Sequence, residues 1–341
     1  MPVTIKDVAR ESGVNISTVS RALNDEYGVH PETRQLVVEV AKRLKYRPNR
    51  VARGLVTGRS NTLALVVSDI RNPFFAEVAR GAEDAARAAG CDLLLCNSDL
   101  DGAKQMDYVH SLLEKRVDGI LMNSVAVLSR AQQQDLARCP VPIVLLNRAA
   151  SRKHFSTVCA DNEAGGALAA DYLLRLGHRA IAHITGPRQH GNLTDRANGF
   201  LHALAAAHCP EPVVLYGHNN FQGGYQLTRD LLAQYTQITA IFAANDVMAF
   251  GAARAIHEAG HRIPQDISLI GFDNLELSSV IQPPLTTIHQ PKYEIGKEAV
   301  EILLQLAGKD GEHRPEHRVL GVELIERQSC REVQNASHHT S

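Results

Sequence analysis

Two successive α/β lobes with parallel sheets, preceded by a small all-α helix-turn-helix head, are the fold class that three features of the sequence predict. From residue 62 onward, short continuous apolar runs alternate with helical segments, and the series occurs twice. Residues 1–47 carry helical periodicity only, broken once at a serine-glycine pair. The charge divides near the same place. Residues 1–60 hold eleven Lys/Arg against six Asp/Glu, a net of +5, and the remainder holds 25 against 31, a net of -6. A basic head on an acidic body points to a polyanionic partner for the head alone.

In the head, Ile5, Val8 and Ala9 form one apolar helical face, with Thr4 ahead of it as N-cap. Ser12-Gly13-Val14 interrupts the pattern, and Asn15 can cap a second helix that buries Val19, Ala22 and Leu23. Two short helices about a glycine turn are the helix-turn-helix unit, whose second helix enters a DNA major groove. That helix exposes Ile16, Ser17, Thr18, Ser20 and Arg21. The plain alternative is a helical hairpin with no ligand. Pro31 opens a third helix carrying Leu36, Val37, Val40, Ala41 and Leu44, and His30 stands where a Ser or Asp cap is expected.

Residues 46–58, YRPNRVARGLVTG, are basic and too short to hold a helix alone. Gly54 weakens such a helix by a further ~1 kcal/mol relative to Ala. One reading is a flexible linker. The other is a hinge over residues 48–60 that becomes helical only on DNA, with Leu55 wedged into a minor-groove base step and Asn49, Arg50 and Arg53 facing phosphates.

The core follows as strand LALVVSDI, a helix over 73–90, strand DLLLCNS, a helix over 103–116, strand DGILMNS and strand VPIVLLN. The second series is a helix over 162–176, strand AIAHITG, a helix over 196–208, strand PVVLY, a helix over 222–234, strand AIFAAND, a helix over 247–259 and strand ISLIGFDN. A helix over 293–306 and a strand over 318–327 are expected to cross back between the lobes. Lobe 1 is assigned to about 61–160 plus 290–318 and lobe 2 to about 161–289 plus 319–330, with a disordered polar tail over 331–341.

Ligands of open α/β sheets bind beyond the carboxyl ends of the strands. The residues that follow the strands are Asn72, Phe74, Phe75, Asn147, Arg148, Arg196 at the end of a loop, Phe221, Asn245-Asp246 and Asp273-Asn274, with Gln290 at a crossover. Flat rings stack on the C–H face of a sugar, while planar amides, Arg and Asp bond its hydroxyls in pairs. Each has a plainer reading: Phe74 and Phe75 as core, Asp273 as a turn cap, Arg148 as a solvated loop charge.

VTIKDVARESGVNISTVSRALN followed by YRPNRVARGL resembles the head and hinge of the lactose/galactose repressor family of bacterial transcription regulators, and the likeness runs through residue 330 or so. It implies two Rossmann-like lobes of the periplasmic-binding-protein type, a ligand in the interlobe cleft, and a homodimer that straddles a pseudo-palindromic operator. Ile16, Ser17 and Arg21 would then meet base edges, and Thr4, Thr18, Ser20 and Asn24 phosphates. Asn72, Phe74, Phe75, Arg148, Arg196, Phe221, Asn245, Asp273 and Gln290 resemble the pentose-contacting set of ribose-binding proteins. Asn147 departs from it, since an aspartate is usual there. The expected function is a repressor of sugar uptake or catabolism genes controlled by a ribose-like pentose. Another monosaccharide, a nucleoside or a purine stays open, and so does a cytosolic sugar sensor acting through protein contacts.

Other classes are weaker. The chain contains no GxGxxG after a strand, GxxxxGK[ST], HExxH or GxSxG, so neither an enzyme nor a cofactor or metal site is expected. His178 and His183 flank a strand and read as structural. The six cysteines lack metal-ligand spacing and read as buried reduced thiols. With no apolar leader and no stretch of about 18 apolar residues, the expected location is the cytoplasm.

Overall fold

Thr4 starts the first helix of the head: its backbone N–H and Oγ1 both donate to Asp7 Oδ2, at 3.0 and 2.8 Å. The computed structural model describes residues 3–25, 27–46, 58–123, 129–146, 154–188, 190–308 and 314–333. Asn49, Arg50, Arg53, Leu55, Asn147 and Arg148 lie outside the described residues. The chain divides into two units, residues 1–60 and 61–341.

The head contains α1 (Ile5–Ser12), α2 (Ile16–Leu23) and α3 (Pro31–Arg43). Gly13 ends α1 at φ 70°, where a side chain would be strained. Asn15 Oδ1 then caps α2, accepting from Thr18 N at 2.8 Å and from Ser17 Oγ at 2.6 Å. Val8, Val19 and Val37, one from each helix, are fully buried together. His30 makes no side-chain cap bond, and Pro31 supplies the start of α3 instead.

The second unit holds two six-stranded sheets. The first contains β1 (Thr62–Val67), β2 (Asp92–Asn97), β3 (Gly119–Met122), β4 (Ile143–Leu146), β5 (Ser156–Ala160) and β11 (His317–Leu320), in the order 11-5-4-3-1-2. All its pairings are parallel. The second contains β6 (Ile181–Thr185), β7 (Val213–Tyr216), β8 (Ala240–Ala243), β9 (Ser268–Asp273), β10 (Thr286–His289) and β12 (Glu323–Ile325), in the order 12-10-9-8-6-7. Only its β10–β12 pairing is antiparallel. The winding is thus the same in both lobes, and each has a switch point beside its first strand, where the crossovers leave in opposite directions.

The helices are α4 (Phe74–Ala88), α5 (Gly102–Glu114), α6 (Arg130–Ala137), α7 (Asn162–Arg175), α8 (Gly191–Ala206), α9 (Phe221–Gln234), α10 (Asp246–Glu258), α11 (Leu277–Val280) and α12 (Lys292–Ala307). The crossing at 290 is real: α12 leaves β10 of the second sheet and packs on α4 and on β3, β4 and β5 of the first.

Several expectations need correction. The predicted strand 318–327 is two strands, β11 and β12, which part at Gly321-Val322 and join different sheets. Helix α8 starts five residues earlier than expected, because Gly191 and Asn192 form helix poorly and no side chain caps it. Helix α6 was not anticipated, since only Leu136 of its eight residues is buried and no apolar stripe announces it. Strand β5 was hidden by Ser156 and Thr157. Both are buried because β11 satisfies them: Glu316 N donates to Ser156 Oγ at 3.0 Å, and Thr157 Oγ1 lies 3.0 Å from His317 Nδ1. The tail is bound as far as Val333, whose N–H donates to Leu176 O at 2.8 Å. Of the six free cysteines only Cys159 is buried, and the other five are half-buried.

Candidate functional site

Between the two lobes the strand ends face one cavity of about 40 Å³. That is several times the space a single water needs. Ser68 and Asp69 follow β1, Asn123 follows β3, Asp273 ends β9, and Asn245 and Gln290 follow β8 and β10. Asn72, Phe74 and Phe75 line it from the start of α4, and Asn192, Leu193 and Arg196 line it from α8.

Arg196 is the most enclosed charge of the site. A Cβ on Gly166 would stand 2.0 Å from Arg196 O, and one on Gly199 would stand 1.9 Å from Glu163 O. Glycine at both points therefore lets α7 and α8 pack backbone to backbone. That contact sets the Arg196 Nε to donate to Asn162 Oδ1 at 2.8 Å and its Nη1 to Ala244 O at 2.6 Å. The guanidinium lies 3.7 Å from the centre of the Phe272 ring, and its Nη1 is 3.7 Å from Asp273 Oδ1. Burial lowers the Arg196 pKa to about 10 against the pull of Asp273. Burial likewise raises Asp273, with Arg196 opposing it. Desolvation outweighs the attraction on both sides of the pair, as is usual for buried ion pairs.

Asp273 accepts from Gln290 Nε2 at 2.5 Å. Gln290 is 1% exposed, and its Oε1 is buried without a hydrogen-bond partner. An orphaned buried acceptor costs roughly 1–3 kcal/mol, so its position on the cavity wall marks a place for a donor. Asn245 Oδ1 caps α10 through Met248 N at 2.8 Å, and its Nδ2 donates to Asn219 Oδ1. Asn72 Oδ1 accepts from Phe74 N at 3.0 Å. Phe74 and Phe75 meet edge to face at 5.1 Å, and both are buried in the core of lobe 1 while lining the cavity.

Asp246 sits just behind the wall with no exposed surface. It accepts from Leu275 N at 2.8 Å and from the hydroxyls of Ser278 and Thr287, both at 2.6 Å. Burial pushes its pKa up to about 7, the charge of Asp273 adds to that, and the hydroxyl and amide donors oppose it.

Seven of the expected ligand residues therefore come together: Asn72, Phe74, Phe75, Arg196, Asn245, Asp273 and Gln290. Arg196 does so from the second turn of α8 rather than from a loop. Phe221 does not. It is the first residue of α9, 38% exposed, and absent from the cavity lining. Ser68, Asp69, Asn123 and Asn219 were missed, although the strand-end rule reaches all four. Asn192 was missed because the start of α8 was misread, and the apolar Leu100 and Leu193 gave no signal.

In the head, Ile16 is 44% exposed, and Ser17, Arg21, Asn24 and Thr4 are exposed beside half-buried Thr18 and Ser20. The helix-turn-helix thus shows one continuous face of short polar groups, one arginine and one isoleucine. Three of the hydroxyls are engaged locally: Ser17 Oγ donates to Asn15, Thr4 Oγ1 donates to Asp7, and Ser20 Oγ accepts from Asn24 Nδ2 at 3.4 Å. His178 and His183 are structural. The His178 ring lies 2.9 Å from Thr239 Oγ1 and 3.0 Å from Ser268 Oγ, and His183 is stacked on Phe242 at 4.7 Å. Among the described residues no group of His, Cys, Asp or Glu could hold a metal ion, and no helix is long and apolar enough to cross a membrane.

Known proteins share this architecture along its length. The family pattern "Bacterial regulatory proteins, lacI family" matches residues 4–49, and "Periplasmic binding protein-like domain" matches residues 170–330. The HTH-type transcriptional repressor PurR of Vibrio cholerae is 37% identical over 332 residues, 97% of this chain and 98% of its own. The crystal structure of the lac repressor dimer, bound to operator and the anti-inducer ONPF, superposes with a TM-score of 0.86 at 31% identity, over 97% of this chain and all of that one. A lacI-family regulator from Enterococcus faecium with bound ribose superposes at 0.71 with 34% identity, over 80% of this chain and all of that one. The chain belongs to the lacI family of bacterial regulatory proteins, DNA-binding transcriptional repressors with a periplasmic-binding-protein-like core.

Proposed function

We propose that this repressor acts in the cytoplasm as a homodimer on a pseudo-palindromic operator and that a ribose-like pentose in the interlobe cavity controls its operator affinity. The buried, unpartnered Gln290 Oε1 carries the ligand reading. It needs a donor, and a sugar hydroxyl can give it one while accepting from a neighbouring amide or guanidinium. The rest of the wall is of the same kind: the carboxylate of Asp273, the guanidinium of Arg196 and the amides of Asn72, Asn123, Asn192, Asn219 and Asn245. Two phenylalanine rings offer an apolar face on which a sugar ring can lie. The ribose bound to the Enterococcus faecium relative supports this choice.

In the head, Ile16, Ser17 and Arg21 meet base edges and Thr4, Thr18, Ser20 and Asn24 meet phosphates. Between the units, Asn49, Arg50 and Arg53 hold phosphates and Leu55 wedges a minor-groove step. Asn147 and Arg148 complete the sugar contacts from lobe 1, whereas Phe221 is left out of the contact set.

The likeness to PurR favours a second reading, a purine effector. Titration calorimetry of the full chain separates the two. D-Ribose should bind with a dissociation constant in the micromolar range, and hypoxanthine should give no heat. Binding of hypoxanthine with ribose silent would replace the pentose by a nucleobase.

A further inference from the structure

Lys292 is an unexpected residue to find buried. It is the first residue of α12, only 8% exposed, in the turn where a helix dipole disfavours a cation. Burial lowers its pKa, with Asp273 opposing. A lysine that is both desolvated and set against a dipole needs compensation, and its Nζ finds it in two backbone carbonyls. It donates to Asp273 O at 2.5 Å and to Asn274 O at 3.1 Å.

Those two carbonyls belong to a strained turn. Asp273 has φ 118° and Asn274 has φ 52°, both in the half of conformational space that non-glycine residues avoid. Such residues cost on the order of 1–3 kcal/mol each and persist only where surrounding groups hold them. The kink lies where β9 ends, and it directs the Asp273 carboxylate at the cavity wall beside Arg196 and Gln290. Lys292 reaches it from the segment that crosses between the lobes, two residues after Gln290.

We infer that Lys292 is a positioning residue for the effector site: its ammonium pins the strained Asp273–Asn274 carbonyls to the interlobe crossover, so that the Asp273 carboxylate and the Gln290 amide are held in register for the ligand. Lys292 does not line the cavity and needs no contact with the ligand itself. The inference rests on the pentose reading only for the choice of probe.

The charged and titratable groups around the ammonium are Asp273 on β9, Asp246 on α10, Glu77 on α4, His289 on β10 and Glu294 on its own helix. Because burial depresses the ammonium, it loses its proton at a lower pH than an exposed lysine. The charge-assisted clamp is therefore complete below that pKa and weakened as pH rises through it, where the neutral amine keeps N–H donors but loses its charge.

The test compares the full chain with Lys292→Met, which keeps the stem and removes the donors, and with Lys292→Arg, which keeps charge and donors. A crystal structure of Lys292→Met without ligand should show Asp273 relaxed to negative φ and its bond to Gln290 lost. D-Ribose titration should show affinity reduced ten- to hundredfold in Lys292→Met and within about fivefold of wild type in Lys292→Arg. Wild-type affinity should begin to fall at an alkaline pH below that at which an exposed lysine titrates, while that of Lys292→Met stays level. An unchanged turn in the variant, or equal affinity and an equal pH profile, would overturn the inference. If wild type ignores ribose yet the turn relaxes, the ligand reading fails and the positioning role stands. Should Lys292→Met not fold, an Arg variant with the turn intact but no ribose affinity would equally overturn it.

Discussion

His183 and Gln290 are both buried, and each keeps one polar atom without a partner, yet their surroundings give them different roles. Around His183 lie Phe242 and Phe200, at 4.7 and 5.4 Å between ring centres, and its Nδ1–H donates to Phe242 O at 2.9 Å. It is a core ring, and burial lowers its pKa to about 4. A histidine held neutral in the fold contributes stability that is complete above its ordinary pKa of 6.5 and drains away as pH falls toward 4. His183→Phe should remove that dependence. Urea titrations at pH 7 and pH 4.5 should show the variant gaining about 2–3 kcal/mol on wild type between the two conditions. A constant difference would mean that the imidazole is not buried. Gln290 lies on a polar wall instead, and there the orphaned atom reads as a ligand position. Its location was legible from TTIHQP and the strand-end rule. The cost of leaving its Oε1 unpaired was not, since burial decides that. Lys292 was invisible at this scale, because a lysine opening a helix ordinarily reads as solvated.

Among the elements, those that announce themselves by one strong pattern were legible. The β1 run of Leu63 to Val67 is fully buried, and so are β3, β4 and β9, which explains why apolar continuity found them. An element held by exchange of polar groups was not found: β5, with its serine and threonine bonded to the β11 segment; β12 fell inside one expected strand over 318–327, and its separation from β11 was not legible. In the head, the glycine turn and the Asn15 cap were both readable. Asn15→Ala should cost about 1 kcal/mol through the lost bond to Thr18 N. Hydrogen exchange should then show α2 amides about fivefold less protected while amides of β1, β3 and β9 keep wild-type rates. Unchanged α2 protection would mean that packing of Val19 and Ala22, not the cap, holds this helix.

For the whole molecule, the division of charge and the doubled winding carried the reading. A net charge of +5 over residues 1–60, the basic stretch included, against -6 over the rest places the polyanion at the N-terminal part. The matching strand orders 2-1-3-4-5 and 7-6-8-9-10 place two sets of strand ends toward one cavity. What no single segment could disclose was which side chains meet there, because the wall is drawn from β9, α4, α8 and the segments that follow β1, β2, β3, β7, β8 and β10. An effector changes DNA affinity only through a difference in its own affinity for the two states, usually worth about 1–3 kcal/mol or 5–150-fold. The most direct measurement is fluorescence anisotropy of the full chain on duplexes selected from a random pseudo-palindromic library, with and without D-ribose. Operator affinity should shift at least fivefold with ribose and fall steeply with added salt as phosphate contacts release counterions. An operator affinity that ribose leaves unchanged and hypoxanthine shifts would contradict the pentose account, and a flat salt dependence would contradict the DNA-reading head.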